Sequence, residues 1–305
     1  MNYEVKIDVS PIYELLGSFM VYTSKKWVRN LDIGPEWISE VAERLEPEVS
    51  QAIAQTASWP FDDYDVLYAW AIHRNNGDSV LTYLECLLHT PEEVLLEVAS
   101  PYLPSLTIEN TRRIRDQYTP LLELWYEHYF KNVESSIIPL IEEDALEKKM
   151  LLTKMDPQAL VEYASGGLVV EDIPGLETIV LFPTVHNRPI NTYCFYQKMM
   201  LIQYPVDVPE ENEDEPPTVL LRMTHALSEP KRLRLLRYLA DQPRSLDDMQ
   251  RDLVQTEEML MHHMMILRVA GLLRIHLEVD NQEKFSIRPD GASELQMFLE
   301  SYIRL

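Results

Sequence analysis

The chain has 305 residues, enough for two domains, and is 46% hydrophobic and 25% charged, a balance that excludes a disordered or fibrous chain. Its 27 basic and 50 acidic residues give a formal charge of −23, which argues against gripping a polyanion over the whole surface. No apolar run reaches the roughly 18 residues needed to cross a bilayer, and the N-terminus has no basic stretch followed by an apolar one, so neither membrane contact nor export is expected. Two cysteines far apart in sequence, Cys86 and Cys194, make no disulfide framework, and a cytoplasmic location is expected.

In chain order, roughly the first 165 residues read as helical. Leu15, Leu16, Phe19 and Met20 recur at helical spacing after Pro11, and Val41, Ala42, Leu45 and Val49 do the same before Ala52 and Ile53. Pro60, Pro91, Pro101, Pro104 and Pro120 fall where helices should start or stop. Thr90-Pro91-Glu92-Glu93 combines a capping hydroxyl, a first-turn proline and first-turn acids. Ser165-Gly166-Gly167 breaks the pattern. Leu168–Ile173, Thr178–Phe182, Thr192–Tyr196 and Lys198–Tyr204 are short β-rich runs that predict a small antiparallel sheet. Pro205–Pro217 (PVDVPEENEDEPP) has the composition of a solvated linker.

Charge divides at the same place. Residues 218–305 carry 12 Lys+Arg and 13 Asp+Glu, leaving 15 and 37 before them, so the acidity belongs to the front of the chain. The predicted class is mainly α with small β elements (α+β). A helical N-terminal domain with the small antiparallel sheet covers 1–206, an acidic linker 207–217, and a winged helix-turn-helix 218–305. In that last part, Thr218–Leu227 reads as a helix, and Glu229-Pro230 opens a second with Leu233, Leu236 and Leu239 inward and Arg232, Arg234 and Arg237 on other faces. Ser245 with Asp247 and Asp248 starts the helix carrying Leu246, Met249 and Leu253. Thr256 caps the next, whose inward stripe is Leu260, Met264 and Leu267, and Gly271 stops it. Leu272–Glu278 and Lys284–Ile287 pair through Asp280-Asn281 as a wing. Ser293 opens a last helix with Leu295, Phe298, Leu299, Tyr302 and Ile303 on one face.

The segments Ala226-Leu227-Ser228-Glu229-Pro230, Arg232-Leu233-Arg234-Leu235-Leu236, His262-His263 and Leu267-Arg268-Val269-Ala270-Gly271-Leu272 resemble the ArsR/SmtB family of bacterial transcriptional regulators over about 80 residues, with each signature at the right separation. The longer architecture resembles a subgroup whose extra N-terminal domain begins like Ser10-Pro11-Ile12-Tyr13-Glu14-Leu15-Leu16. The resemblance implies a homodimer through the first and last helices of the module. The stripe Leu295, Phe298, Leu299, Tyr302 and Ile303 agrees with that, since it needs a cover. A symmetric copy, the module's own core and the N-terminal domain are the three possible covers.

The expected function is operator binding: double-stranded DNA read by the helix that starts at Thr256, with the N-terminal domain sensing a small-molecule effector or setting dimer geometry. Glu257, Glu258, Met261, His262 and Met265 point outward at 100° per residue, and Arg244, Arg251, Arg268, Arg274 and Lys284 are the cations able to grip phosphates. The chemistry is unusual for that task. Two carboxylates at the helix start repel phosphates, accept from cytosine N4, or simply complement the helix dipole. Met259, Met261 and Met265 offer thymine contacts or an adaptable protein-binding face. Hence a second reading stands beside the first: a winged helix that no longer reads DNA and binds a protein.

No metal or other cofactor is expected. The helix Leu246–Leu253 has no Cys, Glu294 and Glu300 are six apart, and adjacent His262 and His263 diverge by about 100°. Trp27, Trp37, Trp59, Phe61, Tyr64, Tyr68, Trp70, Trp125, Tyr126, Tyr129 and Phe130 read as core or as an aromatic-lined effector pocket, with Trp70, His73 and Arg74 as candidate lining. His128 beside Glu123 and Glu127 reads as a surface polar cluster, and Asp62, Asp63 and Asp65 as a solvated turn or helix start. With 8 glycines, no phosphate loop and no G-x-S-x-G, the chain is not read as an enzyme.

Overall fold

In the computed structural model, which describes residues 3–208, 212, 214–279 and 282–304, Ser10 starts the first helix. Its hydroxyl accepts from the Ile12 amide, and Pro11 fills a position whose N–H would have no partner. Twelve residues of α1 (Pro11–Ser24) are buried, so it is a central helix rather than a half-exposed one. Around it lie α2 (Gly34–Arg44), α3 (Pro47–Ala54), α4 (Asp63–Ile72), α5 (Val80–His89), α6 (Glu92–Ala99) and α7 (Ile108–Trp125). A π-helical turn, Tyr126–Phe130, joins α7 to α8 (Lys131–Leu152), and α9 (Pro157–Ser165) follows. Pro120 does not end a helix: it lies within α7. The aromatic residues are mostly core, with Trp125 packed on Phe19, Tyr22 and Tyr129.

The expected antiparallel sheet is mostly parallel. β1 (Glu4–Ile7), β3 (Thr178–Thr184) and β5 (Met199–Pro205) run parallel, with Val5 opposite Ile179 and Ile179 opposite Met200, and only β4 (Thr192–Phe195) is antiparallel, on β5. The order β1-β3-β5-β4 makes the whole helical region the crossover between β1 and β3. Six of seven residues of β3 are buried, as in a strand covered on both faces. Val180, Phe182 and Leu201 meet the helical core, while Ile179, Leu181, Met200 and Ile202 turn to the other side.

The first β-rich run, Leu168–Ile173, leaves that sheet altogether. β2 (Leu168–Val170) pairs in parallel with β7 (Leu273–Leu277), Leu168 opposite Ile275. β7 pairs antiparallel with β8 (Glu283–Ile287), which pairs with β6 (Arg244–Ser245). The Asp280-Asn281 turn proposed between β7 and β8 lies outside the described residues. Helices α10 (Thr218–Leu227), α11 (Pro230–Leu239), α12 (Leu246–Leu253), α13 (Glu257–Val269) and α14 (Gly291–Ile303) complete this part. One apolar cluster runs from Met200 and Ile202 through Leu160 and Leu168 to Ile275, Met249 and Leu260, so the segments on either side of 207–217 share a sheet and a core.

Local signals on this side are mixed. Ser245 and Asp248 form a reciprocal capping box. On α11 the buried residues are Arg232, Leu235 and Leu239, while Leu233 is 48% exposed. Arg232 is drawn inward because its guanidinium donates to the His225 and Ala226 carbonyls and to Glu229, satisfying the end of α10. Glu229 makes that ion pair rather than a side-chain cap.

Gly167, where β2 begins to meet β7, has φ +128°, and a Cβ there would stand 2.5 Å from the Leu273 carbonyl oxygen. Gly167→Ala should therefore destabilise the protein by about 3 kcal/mol, adding backbone strain to a clash with main chain. Gly166→Ala, at φ +67° with nothing within 4 Å of the added Cβ, should cost only about 1 kcal/mol. Thermal unfolding of the two variants separates clash from strain, and equal losses would mean that the β2–β7 approach is not tight.

Candidate functional site

Val254, in a left-handed conformation and 89% exposed, turns the chain from α12 towards α13. Thr256 then caps α13, its hydroxyl accepting from the Met259 amide. Leu260, Met264 and Leu267 are buried as the 3.6-residue period predicts, and His263 joins them. Burial pushes the His263 imidazole below its ordinary pKa, and His262 beside it is exposed. Glu257, Glu258, Met259, Met261 and His262 form an exposed face over the first turns.

That face closes before the helix ends. Met265, expected to point to solvent, is half-buried, and with Val269 it packs on Val21, Val28, Leu31 and Ile190. The Arg268 guanidinium donates to both the Asn191 main-chain oxygen, at 2.9 Å, and its Oδ1, at 2.6 Å. Nearby, Arg222 of α10 pairs with Asp32, which Arg188 also approaches at 3.5 Å. The front of the molecule thus clasps the C-terminal half of α13 and leaves its N-terminal half free. The clasp is not seamless: a cleft of about 430 Å³ runs beside it, lined by Arg29, Arg222, His225, His262 and Val269 among others.

The other cations expected on this side also have partners. Arg274 pairs with Glu162 of α9, Lys284 with Glu278 at 2.7 Å, and Arg251 with Asp248 and Asp252 at 2.6 and 3.2 Å. Arg244 stacks over the Tyr238 ring, 5.2 Å from its centroid. Tyr193 of β4 donates to Glu283 of β8, another tie between the two sides.

The apolar stripe of α14 splits. Leu295 and Phe298 are half-buried against the shared core, and the Tyr302 hydroxyl donates to the Asp214 carbonyl at 3.2 Å. Leu299 and Ile303 are 43% and 49% exposed, next to an exposed Met297, and Leu221 of the contacting α10 is 52% exposed. Among the described residues no three His, Cys, Asp or Glu side chains are grouped to hold a metal.

The front half holds groups that periodicity did not single out. Glu14, fully buried, accepts from the Thr184 hydroxyl, the Val185 amide at 2.7 Å and His186 Nδ1 at 2.5 Å. His186 Nε2 meets the Tyr129 hydroxyl at 2.7 Å, which accepts from Trp37 Nε1. A lone acid inside the apolar run Ile12-Tyr13-Glu14-Leu15-Leu16 was the available signal. The acidic run at the start of α4 is not a solvated turn: Asp63 is buried in a two-pronged pair with Arg113, and Asp65 accepts from the Cys194 thiol at 3.0 Å. Trp70, His73 and Arg74 do line a cavity, of about 140 Å³, but Arg74 is clamped on Asp8 and His73 is bonded to Tyr102.

Compared with family models, with curated proteins and with solved structures, the chain matches none.

Proposed function

We propose that the chain is a DNA-binding transcriptional regulator. Residues 218–305 act as a winged helix-turn-helix, α12 and α13 as its helix pair, and α13 as the recognition helix. The observation that carries this reading is the exposed face Glu257–His262 on a helix whose opposite face, Leu260, Met264 and Leu267, anchors it in the core. The order of α11, α12, α13 and the β6–β8 sheet supports it. The exposed Leu221, Met297, Leu299 and Ile303 supply an apolar face for a second copy, and a palindromic operator would match that symmetry. The clasped form is the weak-binding one, because Met265 and Arg268 face the front half, Arg251, Arg274 and Lys284 are ion-paired, and Arg244 lies over the Tyr238 ring.

The test is fluorescence anisotropy with duplexes from upstream of the protein's own gene, at 50 mM and 200 mM salt. Binding to one duplex should weaken as salt rises, with a log–log slope of about −0.9 per phosphate contacted. Glu257→Gln with Glu258→Gln should tighten it by about tenfold by removing two repulsive charges. No binding at 50 mM salt, by either the wild type or Asn191→Ala with its clasp weakened, would end this reading.

A second reading keeps the same architecture but gives α13 a protein partner. It is favoured by Met259 and Met261, 38% and 45% exposed beside two acids, with the surrounding cations engaged. Met261→Gln would then abolish association with the partner and leave DNA unaffected.

A further inference from the structure

A cavity of about 290 Å³ lies between α4, β4 and the segment after α1. Trp27, Phe61, Tyr68 and Tyr193 give it aromatic walls, and Asp62 and Asp65 supply carboxylates. No Lys, Arg or His is among its lining residues. Asp62 and Asp65 have no ion-pair partner among the described residues, and Asp65 accepts only from the neutral Cys194 thiol at its side chain. Burial pushes the Asp65 carboxyl above its ordinary value, so a positive charge beside it would supply the missing counter-charge. At the rim the protein already places a cation on these rings: the Lys26 ammonium is 3.7 Å from the Phe61 centroid and 6.0 Å from that of Trp27.

We infer that this cavity is an effector site for a small organic cation, an ammonium on an apolar frame, held by the aromatic walls and by Asp62 and Asp65. Its walls are the parts that hold α13. Tyr193 reaches Glu283 of β8, Trp27 packs on the same apolar cluster as Met265 and Val269, and Asn191, just before β4, holds Arg268. An occupant that shifts β4 or Trp27 therefore changes the grip on α13. The ligand site stands on its own geometry, whereas its consequence for transcription rests on the regulator reading above.

Calorimetry on the full chain with three probes of matched frame tests it: 2-phenylethylammonium, 2-phenylethanol and 3-phenylpropanoate. The cation should bind at least tenfold more tightly than the alcohol, and the carboxylate should not bind. Asp65→Asn and, at the exposed mouth, Asp62→Asn should each weaken the cation by about tenfold. Deuterium exchange at 264–269 should change on adding the cation and stay unchanged in Asp62→Asn at the same concentration. No binding, or equal binding of all three probes, overturns the site. Binding with unaltered exchange at 264–269 overturns the coupling. Charge-selective binding and altered exchange in a protein that binds no duplex would leave this inference standing and remove the regulator reading.

Discussion

Glu14→Ala should lower the melting temperature by about 10 °C, the largest effect expected of any single substitution considered for this protein. Glu14 is fully buried, and its removal leaves the Thr184 hydroxyl, the Val185 amide and the His186 ring facing a void. Breaking a buried charged network from one side costs about 3–5 kcal/mol, and in a chain of this size each kcal/mol shifts the midpoint by about 2–4 °C. The network has a pH signature as well. Burial alone would raise the Glu14 carboxyl, but His186, the Thr184 hydroxyl and the Val185 amide together hold it below its ordinary 4.5. A depressed folded-state pKa means that its contribution is complete above about pH 4.5 and is lost as pH falls through the lower folded value. Wild type should therefore lose stability on acidification below pH 4.5 more steeply than Glu14→Gln. Melting curves of equal slope against pH for the two proteins would show that Glu14 is not held ionised.

Arg268→Ala should speed deuterium exchange in the last turns of α13 by about 30-fold while leaving β3 and β5 unchanged. Arg268 makes two charge-assisted bonds to Asn191, and losing about 2 kcal/mol of local stability corresponds to that factor. Asn191→Ala should act in the same direction from the other side of the contact. Because Asn191 lies away from the exposed face Glu257–His262, it can be changed without touching the residues proposed to meet DNA. On the regulator reading, Asn191→Ala also tightens duplex binding by freeing α13. If both variants exchange like wild type, packing of Met265 and Val269 on Val28 and Leu31 holds the helix unaided, and the polar clasp is incidental.

The two variants report on different parts of the sequence reading. The helix that starts at Thr256 could be placed from its cap and its stripe, because a capping hydroxyl and apolar residues at 3.6-residue spacing act within a few turns of chain. The same local logic located Ser245 as a cap and the exposed Glu257, Glu258, Met261 and His262. It failed where a residue's partner is distant. Met265 has the spacing of an outward residue, yet its surroundings come from Val21, Val28 and Leu31. Arg232 has the composition of a surface position, yet it is 3% exposed because carbonyls at the end of α10 draw it in.

The β-rich runs show the same boundary. Short apolar runs between turns look alike whether they pair with a sequence neighbour or with a strand far along the chain, so β1 on β3 and β2 on β7 were not legible. The helical character of the front, the change in charge near residue 217, and the order of the helices and of the β7–β8 pair after it could be read from local periodicity, capping and composition, whereas β6 could not. That the front half reaches across that division to grip α13, pair with β7 and engage Arg222, Arg268 and Arg274 was a matter for the tertiary structure, because each such contact depends on which distant groups the fold brings within hydrogen-bonding range.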